Sequence, residues 1–139
     1  MKERILLAIV VLSNRNDWTP QDEASEMTEL IHSCGGEVIH TVFCKTAPPT
    51  ARTLLTTGKV EEIAALCKMG DVDCVILSHD LKGVQQRNLE EEFGVKTIDR
   101  TQLILEIFAR NAKSMEGKMQ VELAQLQYRL PRLTGHGQE

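Results

Sequence analysis

A glycine followed by a lysine gives the chain a partial likeness to a phosphate-binding loop. Gly58 and Lys59 come directly before a predicted helix, as the last residues of a Walker A loop do. Thr53, however, stands where that loop needs its first glycine, and Val60 stands where it needs a hydroxyl for Mg²⁺. Because both the backbone cradle and the metal ligand are missing, the spacing favours an ordinary helix start.

Ser78, His79 and Asp80 have the composition of a catalytic triad, but consecutive residues point in different directions and cannot form one among themselves. A parallel sheet offers a more general site, the crevice beyond the carboxyl ends of its strands where the winding reverses. With a strand order of 2-1-3-4, this crevice lies between residues 13–18 and 78–83. We predict that a nucleotide or an anion binds there, and this prediction rests on the fold class alone. The candidate residues are Asn14, Ser78 and Lys82.

The composition disfavours several other kinds of site. Aromatic residues make up only 4% of the chain, so the stacking platforms of many single-strand RNA binders are absent. The four cysteines show no metal-site spacing, and we expect no metal and reduced thiols, as in a cytoplasmic protein. We expect no membrane span, because no apolar run approaches the necessary length of about 20 residues.

Alternating strands and helices predict an α/β fold. The run Ile5–Leu12 is continuously apolar, typical of a strand buried on both faces, and three shorter strands follow it. The order predicts a small four-stranded parallel sheet with helices on both faces, and then a projecting C-terminal long helix, half of a helical hairpin. We divide the chain into a body, residues 1–98, and a helical extension, residues 99–139. The predicted helix N-caps include Thr19, Asp80, Asp99 and Ser114.

The last helix carries an apolar seam. Its members follow one another at spacings of 4, 3, 4 and 3 residues, which is the a/d pattern of a coiled coil. Such a seam needs a facing helix, and no second heptad helix occurs upstream, so we expect self-association or a partner helix outside the chain. Pro131 predicts a break or kink near residues 129–130. The seam consists of Met119, Leu123, Leu126, Leu130 and Leu133.

The charge is distributed unevenly. Residues 1–94 contain 9 Lys and Arg against 15 Asp and Glu, whereas residues 95–139 contain 7 against 5. The acidic body argues against a general nucleic-acid binder, and the mildly basic tail permits contact with RNA phosphates. By composition alone, the same charges also fit the ordinary solubility of an exposed helix.

Four separated segments resemble the N-terminal domain of the HflX-type GTPases. They are GKVEEI (Gly58–Ile63), QQRNLE (Gln85–Glu90), IDRTQLILEIFARNA (Ile98–Ala112) and EGKMQVELAQLQYRLPRL (Glu116–Leu133). The resemblance implies that the family pattern continues with a second long helix, the natural partner of the seam, and then with a GTPase domain that uses GTP and Mg²⁺. The chain would then be a truncated N-terminal domain, or a protein that has lost the rest, with no cofactor of its own and no GTP hydrolysis by itself.

The resemblance also implies binding to the large ribosomal subunit and a part in splitting ribosomes. The residues expected to face ribosomal RNA are Arg110, Lys113, Lys118, Arg129 and Arg132. Two alternatives remain open: an ATP-binding or ATP-hydrolysing domain that uses the crevice, and a module that only regulates its own GTPase domain. Each would act in the cytoplasm.

Overall fold

The computed structural model describes residues 2–11, 19–45 and 52–134, with the side chains of residues 133 and 134 left out. Four strands and five helices occupy these residues. The strands are β1 (Glu3–Val11), β2 (Gly36–Lys45), β3 (Cys74–Leu77) and β4 (Lys96–Ile98). The helices are α1 (Pro20–Ser33), α2 (Thr57–Lys68), α3 (Gly83–Phe93), α4 (Arg100–Asn111) and α5 (Met115–Thr134).

The four strands form one parallel sheet in the order β2-β1-β3-β4. β1 lies in the centre, paired with β2 on one side and with β3 on the other. Every residue from Ile5 to Val10 is buried, because successive side chains of this apolar run point alternately into the two layers beside the sheet. The predicted α/β fold with a four-stranded parallel sheet is thereby confirmed.

Helices cover both faces of the sheet. On one face α2 and α3 pack against it, in a core that includes Leu6, Ile63, Leu77 and Leu89. On the other face α1 and α4 pack against it, in a core that includes Leu7, Met27, Ile76 and Leu103. Since Leu103 belongs to this second core, α4 is packed onto the sheet although it follows the sequence-based division at residue 98.

Local capping rules account for most helix starts. Thr19 Oγ1 accepts a hydrogen bond from Asp22 N at 3.0 Å, and Ser114 Oγ accepts one from Gly117 N at 2.9 Å, as predicted. Asp80 behaves differently from the prediction, since α3 begins after Lys82. The Asp80 carboxylate instead accepts from the N–H and the hydroxyl of Thr101, at 3.1 and 2.8 Å, in the first turn of α4.

The outer edge of β4 is bonded by side chains of α3. Thr97 N donates to Glu90 Oε2 at 3.1 Å, and the Thr97 carbonyl accepts from Gln86 Nε2 at 2.8 Å. These side chains occupy the backbone groups that a further strand would use, which is one way in which proteins protect an exposed sheet edge.

The long C-terminal helix α5 lies beside this edge. It packs against both α3 and α4, which cover opposite faces of the sheet. The helix is not broken near Leu130, since it includes Pro131 and continues to Thr134. Tertiary contacts of Arg132, described below, hold the turn that follows the proline. No helix in the described part of the chain is both long and apolar enough to cross a membrane.

Candidate functional site

The predicted crevice at the carboxyl ends of the strands is only partly within the described residues. Asn14 lies outside them. Ser78 is buried, and its hydroxyl oxygen accepts a hydrogen bond from Val10 N at 2.8 Å, which ties the end of β3 to β1. Lys82 is exposed just before α3. Ser78 therefore has a structural bond of its own, and a nucleotide site here stays a prediction.

A polar cluster joins the loop between β3 and α3 to the end of α5. At its centre is the carboxylate of Asp99, which is fully buried. Asp99 Oδ1 accepts from Gln102 N at 3.0 Å, as an N-cap does, while Oδ2 accepts from Leu81 N at 2.9 Å. Oδ2 also accepts a short hydrogen bond from the Tyr128 hydroxyl. The carboxylate thus bonds to the loop, to α4 and to α5.

Arg132 completes this cluster from the last turns of α5. Its Nη2 donates to the Leu81 carbonyl and, at 2.9 Å, to the Tyr128 hydroxyl oxygen, and it lies 3.9 Å from Asp99 Oδ2. The guanidinium carbon stands 3.7 Å from the centre of the Tyr128 ring, a cation–π distance. Both backbone polar groups of Leu81 are therefore held by side chains. We call Asp99, Tyr128 and Arg132 the Asp99 cluster.

The Asp99 cluster alters the acid–base behaviour of Tyr128. Burial disfavours the phenolate, and the hydrogen bond to Asp99 favours the protonated hydroxyl. Both effects, together with the negative charge of Asp99, raise the pKa of Tyr128 well above its ordinary value, although Arg132 opposes them. The Tyr128 hydroxyl consequently stays protonated near neutral pH, where it donates a hydrogen bond and does not transfer its proton.

The five predicted RNA-facing residues fall into two groups. Arg110, Lys113, Lys118 and Arg129 are exposed, and none of them forms an ion pair or a hydrogen bond with another described residue. Arg132 differs, because its side chain is only 18% exposed and is bonded within the Asp99 cluster. Three of the exposed cations lie in or beside the turn between α4 and α5, and Arg129 lies near the other end of α5.

The predicted seam lies on the outer face of α5. The exposed fractions of Met119, Leu123, Leu126 and Leu130 are 60%, 56%, 44% and 50%, and Met115, at 74%, extends the row by one turn. The side chain of Leu133 lies outside the described residues. We call the five described residues the apolar stripe: Met115, Met119, Leu123, Leu126 and Leu130.

The opposite face of α5 carries the side chains that contact the body, which from here on means the sheet together with α1 to α4. Gln125, Tyr128 and Arg132 are half-buried and follow one another at helical spacing. Gln125 Nε2 donates to Glu106 Oε1 of α4 at 3.4 Å, and Arg87 of α3 donates to the Arg132 carbonyl at 3.2 Å. The helix is thus bonded to the body through polar side chains of one face, while its apolar stripe is exposed.

A cavity of about 580 Å³ lies between the sheet, α3, α4 and α5. Gln86 lines it, is only 8% exposed, and uses its amide nitrogen on Thr97 and Gln102. Two buried atoms on its wall, Gln86 Oε1 and Arg132 Nε, have no hydrogen-bond partner among the described residues. Among the same residues, no group of three or more His, Cys, Asp or Glu side chains could hold a metal ion.

The sequence identifies Asp99 as a helix cap but does not indicate its other bonds. Leu81 and Tyr128 lie 18 and 29 residues away from it, so no local rule brings them together. The available signal was the four-residue spacing of Tyr128 and Arg132, which places an aromatic ring and a cation on one face of a helix.

Comparison with known proteins places the chain in a family. A family model described as the N-terminal part of a GTP-binding GTPase matches residues 21–109, and a model of the middle region matches residues 111–139. The chain belongs to the HflX family of GTPases. The GTPase HflX of Alkalihalophilus pseudofirmus is 41% identical over 140 residues, and that of Caldanaerobacter subterraneus subsp. tengcongensis is 44% identical over 138 residues.

These alignments cover 99% and 98% of the chain but only 33% and 31% of the two HflX proteins. The chain therefore spans about a third of the length of the relatives it matches. The N-terminal and middle-region models meet at the end of α4, so α5 and its apolar stripe belong to the part of the family called the middle region.

The chain also has a fold similar to that of solved structures. The crystal structure of a GTP-binding protein from the hyperthermophilic archaeon Sulfolobus solfataricus in complex with GDP has a TM-score of 0.70 and 27% identity. That comparison covers 96% of this chain and 39% of the archaeal one. The structure of an SsGBP–GDP complex gives a TM-score of 0.73 and 26% identity, covering 99% and 38%.

Proposed function

We propose that this chain is the ribosome-binding N-terminal domain of an HflX-type GTPase, and that it contacts RNA of the large subunit through the turn between α4 and α5. The chain's family membership supports the GTPase context. The observation that supports the RNA contact is a group of three exposed cations, Arg110, Lys113 and Lys118, without counter-ions among the described residues. Phosphate groups supply such counter-ions.

The uneven charge of the chain favours contact at this turn. The body preceding β4 is acidic, with 15 Asp and Glu against 9 Lys and Arg in residues 1–94, so it repels a phosphate backbone. The nine residues 110–118 instead carry three cations and one carboxylate. An RNA surface is therefore favoured at one end of α5 and disfavoured along most of the sheet domain.

The remaining parts of the activity belong to segments outside this chain. GTP and Mg²⁺ bind in the GTPase domain of the longer protein, and the chain alone hydrolyses no GTP. The apolar stripe pairs with a further helix of that protein, which fixes the GTPase domain relative to the ribosome-bound one. In the cytoplasm, this arrangement would let nucleotide state control how the N-terminal domain acts when ribosomal subunits are split.

The RNA contact is tested with purified large ribosomal subunits and a triple variant, Arg110→Gln, Lys113→Gln and Lys118→Gln. Each phosphate contact contributes roughly 0.7–0.9 to the slope of log K against log salt, so the variant should bind more weakly and lose about 2 units of that slope. Arg132 is left unchanged because it holds the Asp99 cluster together.

A matched control removes the same charge elsewhere. The control variant replaces three exposed lysines of the sheet domain with Gln, at Lys2, Lys45 and Lys68. It should retain the binding and the salt dependence of the parent chain. Equal weakening by the two triple variants would mean that net charge alone drives binding, and unchanged binding by the first variant would contradict the proposed contact.

A further inference from the structure

The hydrogen bonds that attach α5 to the body are concentrated in its last turns. Tyr128 and Arg132 bond to Asp99 and to the backbone of Leu81, and the Arg132 carbonyl accepts from Arg87. Earlier in the helix, the Gln125–Glu106 hydrogen bond is long, at 3.4 Å. The side chains of the apolar stripe, on the opposite face, remain 44% to 74% exposed, so much of their apolar area is left uncovered by the body.

The same bonds determine the conformation of the loop between β3 and α3. Leu81 is buried, its N–H donates to Asp99 Oδ2 at 2.9 Å, and its carbonyl accepts from Arg132 Nη2. Asp80, next to it, bonds to the first turn of α4 through Thr101. The loop and the end of α5 therefore use the same carboxylate and the same guanidinium.

Burial makes this shared arrangement cooperative. Asp99 is fully buried and accepts hydrogen bonds from Leu81 N, Gln102 N and the Tyr128 hydroxyl. A buried carboxylate that loses a donor still carries the cost of its desolvation, and nothing then offsets that cost. The loss of one hydrogen bond therefore destabilises the arrangement that the other bonds require. When the end of α5 moves away, Asp99 loses the Tyr128 donor and the Leu81 carbonyl loses the Arg132 donor. Water then competes for the backbone groups of the loop.

We infer that the Asp99 cluster couples the β3–α3 loop to the seating of α5, so that the end of the helix and the loop open and close as one unit. The coupling links the carboxyl end of the sheet to the helix that bears the apolar stripe. A molecule that displaces either part therefore changes the other, with Asp99, Tyr128 and Arg132 as the connection.

Hydrogen–deuterium exchange of the 139-residue chain tests this coupling. In Tyr128→Phe the ring remains but the donor to Asp99 is lost. Amides in residues 126–134 and in residues 78–84 should both exchange faster, by about tenfold or more and by similar factors, as expected for a lost hydrogen bond to a charged group. Amides of β1 should keep their protection, which separates local opening from global unfolding.

Arg129→Met is the matched control, since Arg129 lies on the same helix, is exposed and forms no ion pair or hydrogen bond with a described residue. It should leave both segments unchanged. Faster exchange in α5 with an unchanged loop would overturn the coupling, and unchanged exchange in both segments would show that the Asp99 cluster does not hold the helix.

The parent chain provides a second test that needs no variant. The measurement is hydrogen exchange in low concentrations of urea, plotted as the opening free energy of each amide against the urea concentration. Amides of a unit that opens together share one opening free energy and one dependence on urea. The protected amides of residues 78–84 and of residues 126–134 should therefore converge on one line. Two separate lines with different slopes would contradict the inference even if Tyr128→Phe failed to fold.

Discussion

The apolar stripe on α5 should make this chain associate weakly with itself, and replacing two of its central residues should abolish that association. The variant is Leu123→Gln with Leu126→Gln. Both side chains are about half exposed and lie in the middle of the stripe, so their replacement removes apolar area without touching the face that contacts the body.

The magnitude follows from the exposed fractions. Complete burial of a Leu or Met side chain contributes about 1.5–3 kcal/mol, and the stripe residues have roughly half of this left to gain, or about 1 kcal/mol each. Five residues on each of two chains then offer about 10 kcal/mol, against a cost of about 4–15 kcal/mol for association. At the low end of that cost, about 4 kcal/mol, the balance is about −6 kcal/mol, which corresponds to a dissociation constant of tens of micromolar. A cost higher by about 2 kcal/mol gives a dissociation constant of about 1 mM, and we expect the chain to fall within this range.

Sedimentation equilibrium between about 10 µM and about 1 mM covers this range. The parent chain should change from monomer toward dimer, whereas Leu123→Gln with Leu126→Gln should remain monomeric throughout. The control combines Glu122→Gln with Gln127→Glu, two exposed positions of the same helix outside the stripe, and should associate like the parent. A parent chain that is monomeric at the highest concentration, or a stripe variant that still dimerises, would contradict association through the apolar stripe.

Two further predictions concern stability. Burial raises the pKa of the Cys44 thiol to about 11 and that of the Cys74 thiol to about 12. Because the unfolded chain loses these protons at a lower pH than the folded chain, the contribution of the two thiols to the free energy of unfolding is complete below about pH 9 and is lost as the pH rises through those values. Urea unfolding between about pH 9 and pH 11 should show the free energy of unfolding falling by up to about 1.4 kcal/mol per pH unit for each thiol. The Cys74→Ala variant should show a shallower fall, and a fall equal to that of the parent chain would contradict the raised pKa of Cys74. Gly94 ends α3 with a φ of +74° in open space, so Gly94→Ala should cost about 1–2 kcal/mol through backbone strain alone. Gly58→Ala, in the first turn of α2 and also in open space, should be neutral or stabilising by up to about 1 kcal/mol, and the same sign for both variants would contradict this account.

The sheet and its helices were predictable because local patterns determine them. The apolar run of β1 indicated a strand buried on both faces, and Ile5 to Val10 are indeed buried. Thr19 and Ser114 cap their helices because an N-cap needs only a side-chain oxygen within three residues of a free N–H. Such features depend only on residues that are close together in the sequence, so the sequence alone is enough to predict them.

The contacts of the candidate site were not predictable because they join distant parts of the chain. Asp80 was predicted to cap α3, but the end of β3 lies beside the start of α4, and its carboxylate bonds to Thr101. Arg132 was selected as a cation of an exposed helix, yet the structure bonds it to Leu81, 51 residues away. Charge and helical period indicate which residues share a helix face, but not which face the body covers.

The exposed cations and the family membership together make ribosome binding the central claim. The most direct measurement is co-sedimentation of the unmodified chain with purified large and small ribosomal subunits at low and moderate salt. We expect the chain to pellet with the large subunit, more at low salt than at moderate salt, and not with the small subunit. Absence of pelleting with the large subunit at low salt, or equal pelleting with both subunits, would contradict it.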